Sequence, residues 1–149
     1  MKKNVVIIQI VLISTLFTMC GSDLKRVSME GHDNMKFTIE EITATPGQII
    51  ELTLKTVSKL PKSNMAHNFV LLKKGVDAET FCLNGIKYKG NNYIDPSQED
   101  NIIVSTDLLG DGETDTITFK APAEKGVYTY VCTFPGHYSA GMKGTLTVE

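Results

Sequence analysis

The stretch Cys132-Thr133-Phe134-Pro135-Gly136-His137-Tyr138-Ser139-Ala140-Gly141-Met142 puts a thiol, an imidazole and a thioether into one loop punctuated by Gly and Pro. Strand-like segments flank it, Val127 to Val131 before and Thr145 to Val148 after. Thiolate and thioether sulfur are soft donors that favour Cu(I), whereas imidazole suits Cu(II), so a mixed set holds both oxidation states without exchanging ligands. A type 1 copper centre needs one sulfur and two nitrogens in a plane, with a long axial thioether. His67, beside Asn68 and far upstream, offers the second nitrogen. The candidate metal ligands are therefore His67, Cys132 and His137 in the plane and Met142 on the axis. Because these residues come from distant segments, metal binding is expected to be a property of the folded chain.

Taken singly, each residue has an ordinary explanation. A lone His is usually a surface or hydrogen-bonded residue, a lone Cys a small buried hydrophobe or half of a disulfide, and a lone Met core filler. His32 keeps that ordinary reading; for the other four, their conjunction is the signal. The chain has three cysteines, Cys20, Cys82 and Cys132, an odd count. If Cys20 is lipidated and Cys132 holds metal, Cys82 is left without a partner. A Cys82 to Cys132 disulfide is the rival reading, and it would abolish the metal site.

Working outward from the loop, short alternating segments recur. Met35-Lys36-Phe37-Thr38-Ile39, Ile49 to Val57, His67 to Leu72, Ile102-Ile103-Val104 and Thr114 to Phe119 all read as strands. Pro46-Gly47, Gly110-Asp111-Gly112 and Glu124-Lys125-Gly126 supply turns between them. The pattern predicts an all-β antiparallel sandwich. One insertion, Gly75 to Gln98, departs from it: Val76 to Leu83 is expected to form a short helix with Ala78, Phe81 and Cys82 near one face.

The 149 residues suffice for one domain with a single core and leave no room for a second catalytic domain. The N-terminus reads as an export signal over residues 1–19, with Lys2 and Lys3 ahead of the apolar run Val5 to Met19. Cys20-Gly21-Ser22-Asp23 then resembles the junction of a bacterial lipoprotein, with Cys20 as the lipidated first residue, although Met19 stands where such signals usually carry a small side chain. Ordinary cleavage and release is the alternative. Residues 20–28 form a candidate lipid-anchored tether and residues 29–149 the folded domain. Without the signal, 13 basic residues face 17 acidic ones and the formal charge falls from -2 to -4. That balance argues against a nucleic-acid partner.

From Val27 to Glu149 the chain resembles the azurins of the cupredoxin family. The resemblance rests on Leu60-Pro61-Lys62, Met65-Ala66-His67-Asn68, Leu108-Leu109-Gly110, Cys132 to His137 and Met142-Lys143-Gly144-Thr145-Leu146-Thr147. It implies a Greek-key β-sandwich, one mononuclear copper cycling between Cu(II) and Cu(I) at one end, and a periplasmic electron carrier rather than an enzyme. It also implies that His67, Cys132, His137 and Met142 are the ligands. Azurins carry Gly before the first ligand His and offer its carbonyl as a distant fifth contact; here Ala66 stands in that place. Azurins separate the loop His and Met by three residues, whereas Tyr138-Ser139-Ala140-Gly141 makes four, as in auracyanins and plastocyanins.

Around the ligands, Asn68 is placed to hydrogen-bond Thr133, and backbone N–H groups near Phe134 are placed to donate to the Cys132 sulfur. The resemblance implies that the second loop His reaches the surface through an apolar patch, here Leu60, Met65, Phe134, Pro135, Gly136, Ala140 and Met142 around His137. Transient redox partners such as a c-type cytochrome or a reductase or oxidase, a monomeric state, and membrane association through the anchor are expected with it. Two other functions stand beside the carrier: an electron-donating subunit of a copper reductase, and a copper-holding protein without redox turnover. Against the first, only His32 is left among the histidines for a second metal; against the second, the six Met residues are scattered.

Overall fold

Strand β4 (Ile49–Val57) turns every second side chain inward, burying Ile50, Leu52, Leu54 and Thr56, as a period of two on a half-covered sheet requires. In the computed structural model, which describes residues 23–149, β4 lies between β1 (Leu24–His32) and β7 (Thr114–Lys120), and β2 (Lys36–Phe37) completes a four-stranded sheet in the order β2-β1-β4-β7. The second sheet has five strands in the order β3-β9-β8-β5-β6: β3 is Glu41–Ala44, β5 Val70–Leu72, β6 Ile102–Ser105, β8 Gly126–Val131 and β9 Lys143–Val148. Val27, Met29, Ile50, Leu52 and Leu54 from the first sheet share one core with Leu71, Tyr128, Tyr130, Leu146 and Val148 from the second and with Phe69 just ahead of β5. Each fully buried aliphatic contributes about 1.5–3 kcal/mol. The result is the mostly-β, two-sheet sandwich expected of a Greek key.

The pairing is not wholly antiparallel. β1 runs parallel to β4 along its full length, and β3 runs parallel to β9. Parallel neighbours need a crossover, and here the chain leaves β1, crosses to the other sheet as β3, and returns as β4 in the direction of β1.

Other expectations also shift. β1 begins at Leu24, inside the stretch 20–28 expected to be a tether, because Val27 and Met29 reach the core between polar neighbours that hide the pattern. The expected strand over Met35 to Ile39 shrinks to β2, since Met35 closes a turn with φ 56° and its N–H donates to the His32 carbonyl at 2.9 Å. β3 was not anticipated. The signal segment and Cys20 lie outside the described residues.

Helix α1 (Ala78–Gly85) starts two residues later than Val76 because Asp77 caps it, accepting from the Thr80 N–H at 2.7 Å. Its buried face, Ala78, Phe81, Cys82 and Gly85, follows helical spacing. That face covers Val70, Leu72, Ile94 and Val131, so β5 is buried on both sides.

Candidate metal centre

β5 and β8 pair antiparallel with Val70 opposite Val131. Continuing that register past the strand ends sets Asn68 opposite Thr133, and so brings His67 and Cys132 into one neighbourhood. His67 is held by a two-bond bridge: its N–H donates to the Leu109 carbonyl at 2.9 Å and the Leu109 N–H donates back at 2.8 Å. The Thr56 hydroxyl donates to the same Leu109 carbonyl at 3.1 Å. With His67 paired to Leu109 and the Phe69 N–H donating to the Thr106 hydroxyl at 2.9 Å, the strand expected over His67 to Leu72 forms ladder only from Val70 onward.

The β8 to β9 ladder extends past Val131 and Lys143, with the Cys132 N–H donating to the Met142 carbonyl at 3.2 Å. The nine residues between fold into consecutive turns. The His137 N–H donates to the Phe134 carbonyl at 3.0 Å, the Gly141 N–H to the Tyr138 carbonyl at 2.8 Å, and the Met142 N–H to the His137 carbonyl at 2.9 Å. Gly136 and Gly141 take φ of 84° and 93°, a left-handed backbone that suits residues without a Cβ. The four residues between His137 and Met142 are thereby wound up, and both side chains stay with Cys132.

The donor atoms converge. Cys132 Sγ lies 3.4 Å from His137 Nδ1 and 4.0 Å from His67 Nδ1, and one donor atom from each of the three residues falls within 4.8 Å of the others. Met142 joins them sideways: a Cβ placed on Gly31 would sit 2.8 Å from the His67 ring and 2.9 Å from Met142 Cε, so both side chains press on the same strip of β1. His67, Cys132 and Met142 are fully buried and His137 is only 2% exposed. The Ala66 carbonyl is 3.9 Å from Cys132 Sγ, in the region where the distant fifth contact is expected.

Burial controls the protonation of the donors. It lowers His67 to about 4, with His137 nearby acting in the same direction, and lowers His137 to about 4. Both rings are therefore neutral at pH 7, the form that ligates. Burial pushes the Cys132 thiol up to about 12, against the pull of the Asn68 and Phe134 backbone N–H groups. A metal must displace that proton, and those two N–H groups are ready to stabilise the sulfur's charge. The donor to sulfur near Phe134 was foreseen from sequence; the one on Asn68 was not.

Asn68 and Thr133 interlock as anticipated. The Thr133 N–H donates to Asn68 Oδ1 at 2.9 Å, and Asn68 Nδ2 donates to Thr133 Oγ1 at 2.8 Å. The single hydroxyl proton of Thr133 goes to the Asn92 carbonyl at 2.6 Å. Phe134 packs against His137 with ring centroids 4.7 Å apart and planes inclined by 40°, and Tyr93 meets Phe134 edge-on at 5.4 Å. Gly31, Asn92 and Tyr93 were not singled out from sequence. Asn92 and Tyr93 sit in a left-handed backbone within an insertion that reads only as a loop. Cys82 and Cys132 are both free thiols, which removes the disulfide reading.

One soft thiolate donor, two neutral imidazoles and a buried thioether fit copper, and the sequence agrees: residues 25–149 match the copper binding proteins of the plastocyanin/azurin family. The chain belongs to that family. It is 37% identical over 123 residues to azurin of Alcaligenes faecalis, covering 80% of this chain and 94% of that one. It is 32% identical over 123 residues to outer membrane protein H.8 of Neisseria gonorrhoeae, covering 81% of this chain and 66% of that one. Among solved structures, dithionite-reduced auracyanin of Roseiflexus castenholzii superposes with a TM-score of 0.74 at 34% identity, covering 87% of this chain and 99% of that one. The cofactor is one mononuclear type 1 copper, and the protein is a cupredoxin of the electron-carrier kind.

The apolar patch around His137 is smaller than the resemblance implies. Met65 and Met142 are buried, so Leu60, Gly136 and Ala140 carry the exposed surface, with Phe134 and Pro135 half-buried.

Proposed function

We propose that this chain shuttles single electrons between redox proteins of the cell envelope, with His67 Nδ1, Cys132 Sγ and His137 Nδ1 as the in-plane copper ligands and Met142 Sδ as the weak axial one. The observation that carries this reading is the convergence of the three donor atoms within 4.8 Å in a buried pocket. Bound copper supplies a one-electron couple between Cu(II) and Cu(I). The chain supplies the rest. The Leu109 bridge and the Asn68 to Thr133 pair hold the two ligand-bearing segments at one separation, burial excludes water, and neutral imidazoles keep the ligand set constant. The Ala66 carbonyl is the candidate distant fifth contact.

Export fits the relatives, one of which is named as an outer membrane protein. Cys20 as a lipidated anchor, a periplasmic location and a c-type cytochrome or a reductase or oxidase as partner complete the proposal. Mass spectrometry of the N-terminal peptide of the cell-derived protein tests the anchor: acyl chains on Cys20 support it, and an unmodified N-terminus elsewhere rules it out.

Adding Cu(II) to the purified metal-free domain should raise an intense blue thiolate-to-copper band that reductant bleaches reversibly. Cys132→Ser should abolish the band. A colourless copper-loaded wild type, or a band that survives Cys132→Ser, would sink the proposal.

A further inference from the structure

The charge of the molecule is unevenly placed. The signal-free chain carries 13 basic and 17 acidic residues, yet lysines surround the ligand loop. Lys36 Nζ donates to the Gly141 carbonyl at 3.2 Å, and Lys143 Nζ lies 4.5 Å from the centre of the Tyr138 ring. Lys89 and Lys62 line a shallow cleft with Phe134, Tyr93 and Leu108. Lys62 is paired with Glu113 at 2.6 Å. Lys36, Lys89 and Lys143 have no carboxylate within ion-pair distance among the described residues. Of the residues lining that cleft and the neighbouring seam, Glu79 alone is acidic.

That seam is the second observation. α1 and the ligand loop meet along a narrow gap lined by Cys82, Leu83, Ile86, Pro135 and Tyr138. Leu83 and Ile86 point outward from it, 56% and 45% exposed. The turns of α1 toward solvent otherwise carry Glu79, Thr80 and Asn84, so two large aliphatics there are not forced by the helix pattern. The loop itself, Phe134 to Met142, carries no charged side chain.

An apolar strip beside the metal loop with unpaired cations at its margin is complementary to a partner with the reverse margin. Apolar contact gives short-lived affinity, while rim charges set the encounter rate and orientation. We propose that this face docks a redox protein whose cofactor edge is fringed by carboxylates, Leu83 and Ile86 supplying the contact and Lys36, Lys89 and Lys143 the steering. The proposal rests on the electron-carrier reading, and it assigns the local field a sign opposite to that of the whole chain.

Two small reagents separate the local field from the net charge. The copper-loaded, reduced protein is oxidised in stopped flow by hexacyanoferrate(III), an anion, and by tris(phenanthroline)cobalt(III), a cation, across a range of ionic strength. The anion's rate constant should fall as salt is added and the cation's should rise. The triple variant Lys36→Gln, Lys89→Gln, Lys143→Gln, with its blue band intact, should lose the salt dependence with the anion and slow by about tenfold at low salt. Lys55→Gln with Lys120→Gln, on β4 and β7, should match wild type. An anion rate that rises with salt, as the net charge dictates, or a triple variant indistinguishable from that control, would overturn the proposal. Electron exchange with neither reagent would remove the carrier reading itself.

The apolar half is read at gold coated with mixed methyl- and carboxylate-terminated thiols. Wild type should give a reversible copper voltammogram there, and Leu83→Gln with Ile86→Gln should lose most of the adsorbed signal. Equal signals from the two proteins would take α1 out of the docking face.

Discussion

Asn68 holds Thr133 by two hydrogen bonds that point in opposite directions, Thr133 N–H to Asn68 Oδ1 at 2.9 Å and Asn68 Nδ2 to Thr133 Oγ1 at 2.8 Å. Both residues are buried and each follows or adjoins a proposed ligand. Asn68→Ala leaves the Thr133 N–H without an acceptor in a dry site, a loss of about 1–3 kcal/mol. Urea unfolding of the metal-free protein should show that loss, while copper still binds with a shifted potential. An unchanged midpoint and potential would mean that the pair does not couple the two segments.

Gly31 sits in strand β1 opposite Thr56, and space rather than backbone conformation demands glycine there. A methyl group would meet the His67 ring at 2.8 Å and Met142 Cε at 2.9 Å. The His67 backbone is pinned by its bridge to Leu109, so the flexible thioether is the group expected to yield. Gly31→Ala should cost about 1–3 kcal/mol as overpacking. It should also alter the electron paramagnetic resonance spectrum and the relative intensities of the visible bands. A wild-type spectrum would show that Met142 moves independently of this strip.

Met142→Leu replaces a fully buried thioether with a side chain of similar size, so stability should change by less than ~1.5 kcal/mol. Copper should remain bound by the other three donors. The reduction potential should rise, because the more Lewis-acidic Cu(II) state loses a weak electron-pair donor and the axial position becomes wholly apolar. Voltammetry checks this, and an unchanged potential would argue against axial ligation.

Acid should destabilise the metal-free protein. His67 and His137 both fall from the usual 6.5 to about 4 on burial. Between those values the unfolded chain binds protons that the folded chain refuses, so stability is complete above about pH 6.5 and is lost as pH falls toward 4. The full effect is ~3 kcal/mol per histidine. Denaturant midpoints at intervals from pH 7.5 to 4 should record it, and replacing both histidines by Gln should flatten the curve.

Copper uptake has the same sign for a different reason. The Cys132 thiol, raised to about 12, gives up one proton when metal binds. Apparent affinity should rise about tenfold per pH unit between the histidine and thiol values. Competition with a chelator of known pH dependence measures the slope, and a slope of zero would show that the sulfur binds without losing its proton.

Much of this was legible in the chain itself. The donor types and their spacing from Cys132 to Met142 named the metal, because soft sulfur and imidazole together suit few others. Alternation over Ile49 to Val57 and Thr114 to Phe119 named the strands, because period two is written directly in side-chain polarity. β1 escaped because Lys25, Arg26, Ser28 and Glu30 outnumber the two large residues, Val27 and Met29, that it buries. The role of Gly31 escaped because a missing side chain carries no chemical label.

The amino-acid order thus determined which atoms could bind copper and which of the strongly alternating segments were strands, since both follow from local chemistry. Tertiary structure decided the rest. It ran β1 and β4 parallel, set Asn68 opposite Thr133, and put α1 beside the ligand loop with lysines at its margin. Those are relations between residues dozens of positions apart, and they exist only once the two sheets close over a common core.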